Sequence, residues 1–286
     1  MTLQEIIILA VKTSITMSVL ALGLRATIGD ATLLFRHPGQ LTRAFLAMNI
    51  IMPAVALALC LLFNLHPAVK IALVALSVSP VPPLFQNQAF KGGGRKDHTV
   101  AMMATTALLA IAFIPLAMEL VGRIAGVEVY MTAGTVAKLV LTTMLLPLLA
   151  GIAIHNFAPD FAVKTSPPLA KFASLLLIVA VIPLLIGAGK AIFSLIGDGT
   201  LLSMAAFVLI GVITGDLLGG SDPGTRRLTA LATASRHPAV AISIAQTNFP
   251  DQKLAAPAVI LYLLVNVIVG GVYLKKRFPA TETQGA

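Results

Sequence analysis

Ala232-Thr233-Ala234-Ser235-Arg236-His237-Pro238-Ala239-Val240 places an arginine, a histidine and a proline inside a run, Leu228 to Phe249, that is otherwise apolar and of membrane-spanning length. Lipid cannot hydrogen-bond the backbone groups that a proline frees, so such an interruption persists only where it packs against protein or lines a cavity. An intramembrane arginine costs at least about 2.5–3.5 kcal/mol and marks a functional site by default. The break is therefore read as half of a solute-binding centre. Ser79-Pro80-Val81-Pro82-Pro83, inside an earlier apolar run, is read as the other half.

Composition agrees with a membrane setting. With 58% hydrophobic and 11% charged residues and a mean hydropathy of +0.96, the chain has too little polar surface to cover a water-soluble globule. A net charge of +9 would suit nucleic acid in a soluble protein, but the basic residues stand singly or in short groups between apolar runs. They set topology, and no nucleic-acid partner is expected. The lone Cys60 and the absence of CxxC or HExxH patterns leave no disulfide framework, metal site or redox cofactor. The amino end lacks a basic region before its apolar run and is read as a first span, not a removed signal.

Apolar runs of about 20 residues fall near 6–26, 44–64, 67–90, 98–122, 133–156, 170–190, 199–219, 227–249 and 254–274, predicting nine transmembrane helices. Thirteen Lys and Arg, among them Arg25, Arg95, Lys96 and Arg226, then lie on one side, and six, among them Lys12, Arg123 and Lys190, on the other. The positive-inside rule places the carboxyl terminus in the cytoplasm and the amino terminus outside. Each interrupted span is followed by an unbroken one, and the two enter from opposite sides. That pattern predicts an all-α fold with inverted repeats and two crossed discontinuous helices, and paired interruptions point to a midplane transport site.

Several residues could carry chemistry there. Arg236 is either a cation that neutralises carbonyl ends of the half-helices or a guanidinium that pairs with a carboxylate or sulfonate. His237 is either a proton carrier or a satisfied neighbour of the break. Pro80, Pro82, Pro83 and Pro238 break the helices and free carbonyls one turn earlier, either for a small ion or as plain kinks. Gln86 and Asn87 follow the first break on the restarted half and are candidate solute ligands together with Arg236, His237, Pro83 and Asn266, the last alone in its span. Asp216 is interfacial, or else a counter-ion to Arg236 or a proton carrier. No Ser/His/Asp, paired-aspartate or metal-ligand constellation can be assembled at membrane depth, so the chain is not expected to be an enzyme.

Leu22-Gly23-Leu24, Leu34-Phe35-Arg36-His37-Pro38, Ile51-Met52-Pro53, Asn64-Leu65-His66-Pro67, Leu145-Leu146-Pro147 and both breaks stand in an order and spacing that resembles the bile acid:sodium symporter superfamily, in particular its bacterial, nine-span members. The resemblance runs through most of the chain. It implies one transmembrane unit over 1–286, with a core of about 44–122 and 199–274 and a panel of about 6–26 and 133–190 that rock against each other. Family members that use sodium hold two ions with side chains at the crossing. At the matching positions this chain has Met48 for a glutamine, Phe85 and Gln86 for a serine and an asparagine, Met103 for a threonine, Ala232 for a shared glutamate and Arg236 for a glutamine. Of these only Gln86 offers the oxygen that a hard cation prefers.

The resulting expectation is a secondary transporter of a small organic anion in a bilayer, in a bacterial inner membrane. It would not be sodium-coupled in the family's manner, Arg236 standing where relatives place sodium. Two rivals are a sodium-coupled symporter whose break carbonyls replace the lost side chains, and a transport-inactive membrane receptor for a solute. Nothing in the sequence speaks to oligomeric state.

Overall fold

A computed structural model describes residues 3–91, 95–125 and 129–277. The described residues form helices and connecting turns, with no strand among them. In chain order they are α1 (Leu3–Gly23), α2 (Ile28–Thr32), α3 (Pro38–Phe45), α4 (Met52–Leu62), α5 (Pro67–Val78), α6 (Phe85–Lys91), α7 (Lys96–Ala125), α8 (Ala133–Val140), α9 (Leu146–Phe157), α10 (Pro159–Phe193), α11 (Thr200–Leu218), α12 (Pro223–Ala234), α13 (Pro238–Asn248) and α14 (Ala255–Arg277).

Seven described helical segments are long and apolar enough to cross a membrane: Glu5–Gly23, Pro38–Leu62, Lys96–Ile124, Ala133–Phe157, Pro159–Phe193, Thr200–Leu218 and Ala255–Tyr273. The protein is an integral membrane protein. At the two remaining positions of the nine expected spans stand pairs of shorter helices, α5 with α6 and α12 with α13. Two segments outrun the apolar periodicity. Helix begins at Pro38 rather than near 44, and α10 begins at Pro159 rather than near 170, continuing through Pro167, Pro168 and Pro183. Prolines are tolerated in such helices because neighbouring helices and local adjustments satisfy the freed backbone groups.

Proline marks five of the helix starts. Pro38, Pro67, Pro159, Pro223 and Pro238 all sit in first turns, where the missing N–H would have no partner in any case. Two further prolines follow π-turns, Leu46–Ile51 before Pro53 and Leu141–Leu145 before Pro147, so that α3 runs into α4 and α8 into α9 without interruption.

Packing between helices relies on small residues and hydroxyls. α1 lies against α9 and α10. At the α9 contact a Cβ on Gly151 would sit 2.6 Å from the Leu20 carbonyl oxygen and 2.7 Å from the Gly23 Cα, so the backbones meet directly. Toward α10, Ser14 Oγ donates to the Ala173 carbonyl at 2.7 Å and Ser166 Oγ to the Ala21 carbonyl at 2.8 Å. α12 lies equally close to α11, where a Cβ on Gly215 would meet the Ala230 Cα at 2.6 Å. The outward surface is apolar, with Leu61, Phe157 and Ile186 among its exposed residues, as lipid contact requires.

Candidate functional site

Both interruptions have a local cause. The residue before a proline is pushed out of the helical region, and Ser79 before Pro80 (φ −75°, ψ 148°) and His237 before Pro238 (φ −75°, ψ 107°) are both extended. Extended strands of this kind expose carbonyls and N–H groups that need partners. The two breaks supply them to each other: the His237 N–H donates to the Pro80 carbonyl at 2.9 Å.

Arg236 completes the junction. It is 1% exposed, and Nη1 donates to the Ser79 carbonyl at 3.1 Å while Nη2 donates to the Met48 carbonyl at 2.9 Å. Each acceptor is one that proline has left without its helical donor. Four residues beyond Ser79 stands Pro83. For Met48 the cause is the π-turn: the Met52 N–H bonds back to Ala47, and the next residue, which would serve Met48, is Pro53. Ala234 repeats the situation, since Pro238 lies four residues on, and its carbonyl accepts instead from the buried Tyr262 hydroxyl.

The expected site residues divide by location. Arg236, His237, Pro80 and the Met48 backbone are joined by these bonds, and Pro82 and Pro83 are buried in the first break. The side chains of Met48, Phe85, Met103 and Ala232 are buried as well; a thioether, a phenyl ring and a methyl group present no oxygen. Both ring nitrogens of His237 and Nε of Arg236 are buried with no hydrogen-bond partner among the described residues. Asn266 is buried on α14. Asp216 is not the counter-ion of Arg236: its carboxylate pairs with Arg226 Nη2 at 2.9 Å and accepts from the Tyr273 hydroxyl at 3.3 Å. The side chain of Asn87 lies outside the described residues.

Gln86 belongs to a second place. It lines a cavity of about 400 Å³ that opens between α1 and α10 on one side and α6 with the start of α7 on the other. Gln86 Nε2 spans it to donate to the Ser18 carbonyl of α1 at 3.1 Å. Ser18, Arg25, Lys96, Ser166 and Ser174 share the lining with Leu22, Phe90 and Ala170. These polar residues escaped the sequence reading, because serines inside an apolar run look like packing residues and Arg25 and Lys96 look like topology-setting charges. The available signal was Ser14 and Ser18, four residues apart and so on one face of α1. Tyr262 was missed likewise; its signal was a hydroxyl one turn before Asn266.

The family model for the sodium bile acid symporter family matches residues 13–195, more than half of the chain and including the first break. The chain belongs to this family. Among curated relatives, a rice protein, probable sodium/metabolite cotransporter BASS2, chloroplastic, is 24% identical over 84% of this chain and 57% of its own length. An Arabidopsis thaliana protein, probable sodium/metabolite cotransporter BASS1, chloroplastic, is 21% identical over 86% of this chain and 61% of its own length. The chain thus spans about three fifths of either relative. Membership of this family agrees with the resemblance read from the order of the sequence motifs.

Proposed function

We propose that this member of the sodium bile acid symporter family is a secondary transporter of a small organic anion, working by alternating access, in which Arg236 occupies with a fixed charge the place that sodium takes in relatives. The observation that carries the reading is the buried guanidinium held by the Met48 and Ser79 carbonyls. Carbonyls freed at helix breaks are what a transporter uses to coordinate a cation at the midplane, and here a side chain already satisfies them. Met48, Phe85, Met103 and Ala232 supply no oxygen from their side chains, which supports a junction that does not rely on sodium.

In this reading α5/α6 and α12/α13 are two crossed discontinuous spans that bring the total to nine. The matching pairs of π-turn and proline at Leu46–Pro53 and Leu141–Pro147 support an inverted repeat. The core comprises about 44–122 and 199–274 and the panel about 6–26 and 133–190, so the cavity lies between them. The same reading has the opening at Arg25 and Lys96 face the cytoplasm, with the amino terminus outside, the carboxyl terminus inside and a bacterial inner membrane as the location; the excess of Lys and Arg on that side supports it. Gln86, Asn87 and Asn266 contribute hydrogen bonds to the solute. Where an ion is coupled it is a proton, and His237, buried with free ring nitrogens, carries it; Asp216 is engaged elsewhere.

The relatives are named as sodium/metabolite cotransporters, which favours a second reading in which sodium coupling is kept through backbone carbonyls alone. Counterflow of radiolabelled small carboxylates into proteoliposomes, in sodium and in choline at equal ionic strength, separates the two. Saturable flux of equal size in both buffers is expected. Flux confined to sodium would establish the second reading, and absence of saturable flux for every carboxylate would remove the transport assignment.

A further inference from the structure

Arg236 is not the anchor for a solute in the cavity, since it is buried at the junction, held by two carbonyls, and does not line that space. The cavity has cations of its own. Arg25 stands just beyond the end of α1 and Lys96 at the start of α7, on opposite walls of the same opening. Lys96 Nζ reaches across to donate to the Arg25 backbone carbonyl, and the Asp30 carboxylate lies 3.7 Å from it. The ammonium is therefore held at the mouth beside Arg25 before any solute arrives.

Two carboxylates beside Lys96 are engaged. Asp30 faces Lys96, and Asp97 is bound by Arg95 at 2.6 Å and by the His98 ring. Asp30 also caps α2 by accepting the Thr27 N–H at 2.8 Å. Among the described residues, no carboxylate pairs with the Arg25 guanidinium. A guanidinium with its fork of donors free, next to a preplaced ammonium, matches the planar geometry of a carboxylate.

We infer that Arg25 and Lys96 are the charge anchor for the transported anion, receiving its carboxylate at the mouth while its body lies against Leu22, Phe90 and Ala170. This rests on the organic-anion reading above and names the residues that would select for charge. The other polar groups of the cavity suit a hydroxyl or amide on the solute: Gln86 donates one amide N–H to Ser18 and keeps its oxygen and second N–H, and Ser166 has spent its hydroxyl proton on Ala21 but still accepts. A volume of about 400 Å³ is near the lower end of the roughly 300–1,000 Å³ of small-molecule sites. The class is a small monocarboxylic acid with an apolar body.

The test uses the purified full chain and compares phenylacetate with its uncharged isostere phenylacetamide, with benzoate and mandelate as further acids, by calorimetric binding. Variants are Arg25→Gln, Lys96→Met and, as a control for loss of charge, Arg123→Gln, whose partner is Glu119 on an exposed helix face. Melting temperatures without ligand verify that each variant folds. Binding of at least one acid but not the amide is expected, weakened at least tenfold by Arg25→Gln and by Lys96→Met and unchanged by Arg123→Gln. An acid that binds the Arg25→Gln/Lys96→Met double variant as tightly as the unmodified protein would overturn the anchor and leave the transport reading standing. If none of the three acids binds the unmodified protein, the organic-anion reading falls and the anchor with it.

Discussion

Arg236 Nη2 donates to the carbonyl of Met48 at 2.9 Å, although 188 residues separate them and Met48 belongs to a different helix. The bond exists because a π-turn and Pro53 deny that carbonyl its own helical donor, and because the break at Ser235-Arg236-His237 presents a cation at the same depth. In the function proposed above, the guanidinium thereby does the electrostatic work of a bound ion, without an equilibrium of its own.

Replacing Arg236 by Gln tests that substitution of charge for ion. Two freed carbonyls cost about 1–3 kcal/mol each, against about 2.5–3.5 kcal/mol regained by no longer burying a guanidinium. The two effects nearly cancel, so stability in sodium-free buffer should change little. Sodium sensitivity is the decisive reading: the variant should be stabilised by sodium, by about 2.7 kcal/mol at a concentration 100 times its dissociation constant, while the unmodified protein is indifferent. A variant equally indifferent to sodium would mean that the carbonyls at the junction do not form an ion site.

Tyr262→Phe should be destabilising by about 1–3 kcal/mol, because it leaves the buried Ala234 carbonyl without a donor. The ring itself keeps its edge-to-face contact with Phe207, whose centroid lies 5.9 Å away. Unfolding followed in detergent measures the loss. No change on substitution would show that the Ala234 carbonyl finds another donor.

Gly151→Ala should cost about 1–3 kcal/mol, the usual penalty for forcing atoms into a closed contact. The new Cβ would meet the backbone of α1 at Leu20 and Gly23, and backbone cannot swing aside as a side chain can. Gly187→Ala, which meets nothing within 4 Å, should be neutral or slightly stabilising. The comparison of their melting temperatures checks whether α1 and α9 touch as closely as described.

Asp222 caps α12, its carboxylate accepting the Thr225 N–H at 2.7 Å. That backbone bond, helped by the Thr225 side chain, holds the carboxyl below the usual carboxylate range. A depressed value in the folded state stabilises at pH above the ordinary carboxylate pKa of about 3.9, and the contribution is lost as pH falls through the lower folded value. Asp222→Ala should therefore cost about 1 kcal/mol or less at pH 7, with the difference shrinking below about pH 4. Asp222→Asn keeps an uncharged cap, and its stability relative to Asp222→Ala should not depend on pH. Melting temperatures across this range decide the point.

Much of the architecture was legible because lipid imposes it. A chain that cannot hydrogen-bond to its solvent must be helical wherever it is apolar, and a run of about 20 apolar residues has one conformation open to it. Prolines, arginine and histidine inside such runs are costly enough to stand out, so both breaks and Arg236 could be singled out before any fold was known. Helix limits were less legible: α10 continues through three prolines, at each of which the sequence alone suggests a break.

What the sequence determined by itself is therefore the helical class, the positions of the interruptions, the absence of side-chain oxygens at Met48, Phe85, Met103 and Ala232, and the family to which the order of the motifs belongs. Tertiary structure alone decided which partners the freed groups take. It assigned Asp216 to Arg226 rather than to Arg236, gave Tyr262 the Ala234 carbonyl, and set Arg25 and Lys96 on facing walls of one cavity. The reason is physical: the need for a hydrogen bond is a local property of backbone and side chain, legible at each position, whereas its fulfilment depends on distances between residues remote in sequence, which only the packing of helices sets.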